Sequence, residues 1–192
     1  MILIKRWSAG ILGKVNPMKA RNINEVVHQW LAEICDKSTI AIDATAGNGH
    51  DTVFLASICR QVIAFDISKQ AIVNTSKACQ HLDNVILMHQ SHDQMINYVR
   101  KADIAVFNLG YLPKGDKSVI TLPETTIKAL NQVKLIAPEG YVCITCYLAH
   151  PGGKEEHQAV FEWLKDNSKI IHTYTYPIAD APIAYLGKIK DR

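Results

Sequence analysis

The sequence predicts an α/β fold: a mainly parallel, doubly wound, seven-stranded sheet with helices on both faces and an antiparallel edge hairpin. Three observations carry that expectation. Short apolar runs rich in β-branched residues alternate with helical periodicity along the 192-residue chain, the pattern that builds parallel sheets. The first run, Thr39-Ile-Ala-Ile-Asp-Ala-Thr45, leads into a Gly47-x-Gly49 turn and a helix start at His50 to Thr52. A strand that stops at such a turn is how open α/β sheets hold nucleotide-like cofactors. The last two runs, 169–176 and 183–189, are joined only by a short connection containing Ile178-Ala-Asp-Ala-Pro182, too short for a crossover helix, so they pair as a hairpin.

In chain order, Ile23, Val26, Val27, Trp30, Leu31 and Ile34 form the stripe of an amphipathic helix, with Asn22 and Glu25 as a capping box. Strand 39–45 and a helix of about 50–59 follow. Strand 61–67 precedes a helix from Ser68, a natural N-cap, to about His81. Strand 84–89 leads to a short helix near 93–100, and strand 102–108 leads to a loop over 110–118. Helix 122–136 begins with Pro123 and Glu124, both suited to a first turn. Strand 140–147 is separated by Pro151-Gly-Gly153 from a helix over 154–166, and the hairpin closes the chain. Residues 1–22 read as a basic extension and 23–192 as one domain.

Hydrophobic content of 48% and charged content of 20% exclude a disordered chain. No apolar run reaches the roughly 18 residues of a membrane span. Met1-Ile-Leu-Ile meets Lys5 and Arg6 at once, without the charge-then-apolar order of a signal peptide, so a cytoplasmic protein is expected. The five cysteines have no framework spacing, which suits a reducing compartment. Cys143-Ile-Thr-Cys146 matches C-x-x-C, but on a strand these thiols point to opposite faces, so packing is expected and no metal site. The net charge of +3 is uneven: Lys5, Arg6, Lys14, Lys19 and Arg21 meet no acid before Glu25. Such an arm can bind phosphates or be a solvated tail.

Asp43 stands four residues before Gly47, giving D-x-x-x-G-x-G; Thr52 occupies the third glycine position of a dinucleotide motif. S-adenosylmethionine carries an ammonium and a carboxylate rather than a pyrophosphate. Asp43 can pair, directly or through water, with the ammonium, and backbone N–H groups of Gly47 to Gly49 can face the carboxylate. Asp66 ends the second strand, where a carboxylate can accept both ribose hydroxyls, and Ile67 beside it can wall the adenine. His92, after the third strand, is a candidate adenine contact or an ordinary surface histidine. The fourth strand ends in Asn108-Leu-Gly-Tyr-Leu-Pro113, resembling the [DN]-P-P-[YFW] signature of enzymes that methylate exocyclic amines, with Leu-Gly in place of Pro-Pro. An amine attacking a sulfonium methyl gains positive charge, which the Asn108 amide oxygen can stabilise. Tyr111 can stack on an extruded base. His150, at the end of the fifth strand, can take the proton from the amine or be structural. Lys114, Lys117 and Lys154 lie in loops on the same edge, where they can meet RNA phosphates or solvent.

Asp43-Ala-Thr-Ala-Gly-Asn-Gly-His-Asp-Thr52, Phe107-Asn-Leu-Gly-Tyr-Leu-Pro113 with Gly115-Asp-Lys117, and His150-Pro-Gly-Gly-Lys-Glu-Glu156 together resemble the bacterial MnmM family. The resemblance covers roughly residues 15–190. It implies a Rossmann-like class I S-adenosylmethionine-dependent methyltransferase of the aminomethyl group on the tRNA wobble uridine, yielding 5-methylaminomethyl(-2-thio)uridine. It implies cofactor contacts for Asn48, Asp51, Asp66 and His92, and a substrate cleft around Asn108, Tyr111 and His150. The expected partner is the tRNA anticodon stem-loop, without a membrane or a metal, and with the oligomeric state open, a homodimer included. Methylation of rRNA or of a small-molecule amine is the alternative.

Overall fold

The structure, a computed structural model, describes residues 22–110 and 120–191. The basic residues of the N-terminal arm, together with Tyr111, Lys114 and Lys117, lie outside the described residues.

The chain starts with α1 (Ile23–Ile34). The Asn22 side chain accepts from the Glu25 N–H at 3.0 Å, so the expected N-cap forms, and the reciprocal bond runs from the Asn22 side-chain amide to the Glu25 carboxylate at 3.1 Å. Ile23, Val26, Val27, Trp30 and Leu31 are buried, each contributing about 1.5–3 kcal/mol by leaving water. Then come β1 (Ile40–Asp43), α2 (His50–Ile58), β2 (Gln61–Asp66), α3 (Lys69–Ala78) and β3 (Val85–His89). Ser68 caps α3 by accepting from the Ala71 N–H, as its sequence position implies. The short helix expected near 93–100 is a 3-10 helix over His92–Asn97. The chain continues through β4 (Ile104–Leu109), α4 (Pro123–Ile136), β5 (Tyr141–Cys146), α5 (Gly153–Asn167), β6 (Ser168–Thr175) and β7 (Ile183–Ile189).

The strands lie in the order β3-β2-β1-β4-β5-β7-β6. Pairing is parallel from β3 through β5; β7 runs antiparallel to both β5 and β6. This is the mixed seven-stranded sheet with an edge hairpin that the alternating pattern predicts. Connections with helices return parallel, while the short 176–182 connection cannot.

Strand alternation sorts the core into two layers. Ile42, Phe65, Phe107 and Ile144 pack against the 3-10 helix, α4 and α5. Ala41, Val62, Ala64, Ile104 and Val106 pack against α1 and α2. Cys143 falls in the second layer and Cys146 in the first, both buried, so the C-x-x-C pair is split across the sheet as a strand requires.

Candidate active site

The parity that buries Ala41, Ala64 and Val106 against α1 and α2 also governs the next residues of like parity. These are Asp43, Asp66 and Asn108, all at the carboxyl ends of parallel strands. The polar ends of β1, β2 and β4 therefore converge on the side of the sheet where α2 begins. A cavity of about 720 Å³ opens there, within the ~300–1,000 Å³ range of small-molecule sites. A second cavity of about 590 Å³ lies by the starts of β4 and β5 and contains none of the predicted site residues.

Gly47, Asn48, Asp51, Asp66, Ile67 and His92 line the large cavity, together with Asn108 and His150. Asp43 and Gly49 do not. Asp43 is buried behind the wall, where its carboxylate accepts from the Thr52 hydroxyl at 2.5 Å and the Thr45 N–H at 3.2 Å. Burial, and then the nearby Asp51 carboxylate, push the Asp43 carboxyl up to about 7. Gly49 has φ 85 at the start of α2, and a Cβ there would stand 3.1 Å from the Thr75 backbone, so its task is close packing of α2 on α3. The backbone donors of this turn are also engaged internally. Gly47 N–H donates to Asp66 Oδ2 at 2.9 Å and Gly49 N–H to the Ala46 carbonyl at 2.8 Å.

At one end of the cavity, Asp66 accepts from Gly47 N–H and, at 2.8 Å, from Ser68 N–H. Each oxygen keeps a further lone pair, which suits a vicinal diol. Ile67 beside it is half exposed and presents an apolar face. His92 is buried, and its Nδ1–H donates to the Ala44 carbonyl at 3.3 Å. Burial holds its pKa below the usual histidine range, so the ring is neutral and Nε2 is an acceptor. That atom is buried with no hydrogen-bond partner among the described residues, an arrangement that suits a ligand amine donor.

At the other end, the Asn108 N–H donates to Thr45 Oγ1 at 2.7 Å and its side-chain Nδ2 to Asp51 Oδ2 at 3.2 Å. The Asp51 Oδ1 accepts from His28 Nε2 at 2.7 Å. Tyr147 lies on the cavity wall; burial raises its pKa, the Asp51 charge adds to the rise, and the Asn108 side chain partly opposes it. Leu109 is buried, and Gly110 turns the chain at φ 149, a backbone angle that the ring of a proline forbids. At position 110 the chain therefore takes a direction that Pro-Pro could not.

The two ends of that loop are laced together. Gly110 N–H donates to Thr121 Oγ1 at 2.9 Å, and Thr121 N–H returns to the Gly110 carbonyl at 3.0 Å. The hydroxyls of Thr121 and Thr126 each donate to the buried Glu156 carboxylate at 2.7 Å. Burial holds Glu156 above the usual carboxylate range, and the threonine bonds partly oppose that rise. His150 lies beside this cluster, its Nδ1–H donating to the Pro151 carbonyl at 2.9 Å. A Cβ on Gly153 would come within 3.0 Å of His150 Nε2, so glycine lets α5 begin against the imidazole.

His28, Tyr147, Thr121 and Glu156 were not singled out from the sequence. Tyr147 could have been, since it ends the strand expected over 140–147. His28 sits off the apolar stripe of α1 and carries no local signal.

Comparisons with known proteins identify the family and the fold. Residues 62–180 match the family described as "Putative rRNA methylase". The crystal structure of a putative rRNA-methylase from Clostridium thermocellum is 32% identical, with a TM-score of 0.81 over 90% of this chain and 100% of that one. A putative methyltransferase from Streptococcus mutans, solved in complex with SAH, is 32% identical, with a TM-score of 0.78 over 89% of this chain and 99% of that one. The chloroplastic tRNA (mnm(5)s(2)U34)-methyltransferase of Arabidopsis thaliana is 34% identical over an alignment of 160 residues and covers 73% of this chain. The match spans only 58% of that relative's length. The sheet order and these neighbours make the fold a Rossmann-like class I methyltransferase, and the chain belongs to the putative rRNA methylase family.

Proposed function

We propose that this chain is an S-adenosylmethionine-dependent tRNA methyltransferase. Its reaction is N-methylation of the 5-aminomethyl group of 5-aminomethyl-2-thiouridine at the wobble position, giving 5-methylaminomethyl-2-thiouridine. The observation that carries the reading is one cavity with a diol-type carboxylate, Asp66, at one end and an amide acceptor, Asn108, at the other. The relative from Arabidopsis thaliana, named for this nucleoside, supports the choice of acceptor.

The cofactor supplies a methyl group on a sulfonium and leaves as a neutral thioether. Asp66 would hold the ribose, Ile67 would cover the adenine, and His92 Nε2 would accept from the adenine amine. Asn48 and Asp51 would face the amino-acid end. Asp43 would act one shell back, keeping Thr52 and the Thr45 N–H in place. Asn108 would accept an N–H of the incoming amine, directing the nitrogen lone pair and stabilising the charge that develops on it. His150 Nε2 would take the proton that the methylated amine releases. Tyr111 would stack on the base.

Among the described residues no helix is long and apolar enough to cross a membrane, and the five cysteines are free thiols. Both fit a cytoplasmic tRNA enzyme. The family description favours a second reading, methylation of rRNA. Labelled S-adenosylmethionine incubated with total tRNA, and separately rRNA, from a strain lacking the enzyme separates the two. Labelled methylaminomethyl-thiouridine is expected; label in rRNA alone overturns the tRNA reading.

A further inference from the structure

Asp51 joins three elements. It stands in the first turn of α2, 8% exposed, with Oδ1 bound by His28 of α1 and Oδ2 by Asn108 of β4. A carboxylate can only accept, so the Asn108 amide must turn its NH2 toward α2. Its carbonyl oxygen is then the end left for other partners. His28 is fixed in turn: its ring stacks on Phe54 with centroids 3.9 Å apart and planes 3° apart. The ring face is therefore held by Phe54 and its Nε2 edge by Asp51. The Asn108 backbone cannot drift to compensate, because its N–H is held by Thr45 Oγ1 at 2.7 Å.

We infer that His28 is a positioning residue for methyl transfer: through Asp51 it fixes which end of the Asn108 amide meets the acceptor amine. The inference rests on the amine-acceptor reading above. An amine that gains positive charge is stabilised by an amide oxygen and opposed by an amide NH2, so an inverted Asn108 would act against the reaction. The amide has nearly the same shape either way round, so packing alone does not choose between them; a neighbour that can only accept does. His28 does not line the cavity and meets it only through Asp51.

Three variants test this: His28→Ala, His28→Gln and Asp51→Asn. An amide at position 51 can donate to the Asn108 oxygen as readily as accept from its NH2, so Asp51→Asn removes the choice while keeping the shape. For Asp51→Asn, kcat is expected to fall about a hundredfold. For His28→Ala the expected fall is about tenfold, and His28→Gln, which keeps a side-chain N–H donor, recovers to within about threefold of the parent. In the two His28 variants, SAH affinity by calorimetry and the KM for RNA should stay within about threefold. A readout free of activity is solvent exchange of the Asn108 side-chain amide protons, assigned by their loss in Asn108→Asp; exchange should quicken about tenfold in His28→Ala.

Unchanged kcat in Asp51→Asn, or SAH affinity falling in step with kcat in His28→Ala, overturns the inference, the latter because His28 then serves the cofactor site. Unchanged amide exchange in His28→Ala also overturns it. If the parent methylates no aminomethyluridine yet the exchange still quickens, the hold on Asn108 stands and the proposed substrate falls. Should Asp51→Asn fail to fold, the two His28 variants decide alone.

Discussion

The two ends of the cavity are built differently. The Asp66 end is made from strand ends and the turns beside them: the last residue of β2, the residue after it, and the 3-10 helix that follows β3. Its key bonds are to backbone groups, the Gly47 and Ser68 N–H and the Ala44 carbonyl. The Asn108 end is assembled across the fold. His28 and Asp51 lie 23 residues apart, Asp51 and Asn108 lie 57 apart, and Thr121 and Glu156 lie 35 apart. A cofactor common to many enzymes can be held by backbone geometry that any strand-turn-helix supplies. An acceptor particular to one reaction needs side chains held at chosen angles, and those angles come from several elements at once.

If the division is real, mutations at the two ends must separate binding from turnover. The largest effect is expected for Asn108→Ala. Losing one oriented acceptor at a developing charge should lower kcat about a hundredfold or more, with SAH affinity within about threefold. Steady-state kinetics alongside calorimetry measure both, and an equal loss in each would erase the distinction. Next is Asp66→Ala, which removes the proposed diol acceptor as well as the partner of two backbone N–H groups. SAH should bind about 30-fold more weakly, or about 2 kcal/mol, with kcat at saturating cofactor little changed. Unchanged affinity would defeat the ribose assignment.

The smallest effect on function should come from Asp43→Asn, because Asp43 lies behind the wall; SAH affinity and kcat should both stay within about threefold. Its signature is in stability. The folded state raises this carboxyl from the ordinary 3.8 to about 7, so the folded chain holds the proton more tightly than the unfolded one. Stability contributed by the protonated group is then lost as pH rises through that window and is constant above it. Denaturant titrations across the same range should find a parent that weakens as pH rises and a variant that weakens less. Parallel curves would mean that Asp43 ionises normally.

Much of the Asp66 end was legible because its residues are placed by local rules. A carboxylate at a strand end, an apolar neighbour and a serine N-cap two residues on can be read without knowing what lies opposite. The same rules placed Asn108 and His150 on the wall. They could not tell that Asp43 turns away from the cavity, since facing it or facing α2 depends on where Thr52 lands. Nor could they show that the Gly47 and Gly49 N–H groups are taken by Asp66 and Ala46. His28 was invisible because a histidine off the apolar stripe of a helix has no periodic signal. Glu156 lay within the third family-like motif, yet its burial under Thr121 and Thr126 depends on α4 packing against α5.

What the amino-acid order determined by itself was the sheet and the polarity of its edge. Alternating apolar runs and helices dictate parallel strands, a short last connection dictates the antiparallel hairpin, and period-two alternation puts Asp43, Asp66 and Asn108 on one side. What only the tertiary structure decided was which of those groups reach the cavity and which way each one points. A strand sets the side on which a residue emerges, but the direction of an amide or a carboxylate is set by the donor or acceptor that meets it. For Asn108 that partner is Asp51, held by His28 from a helix formed before the first strand begins.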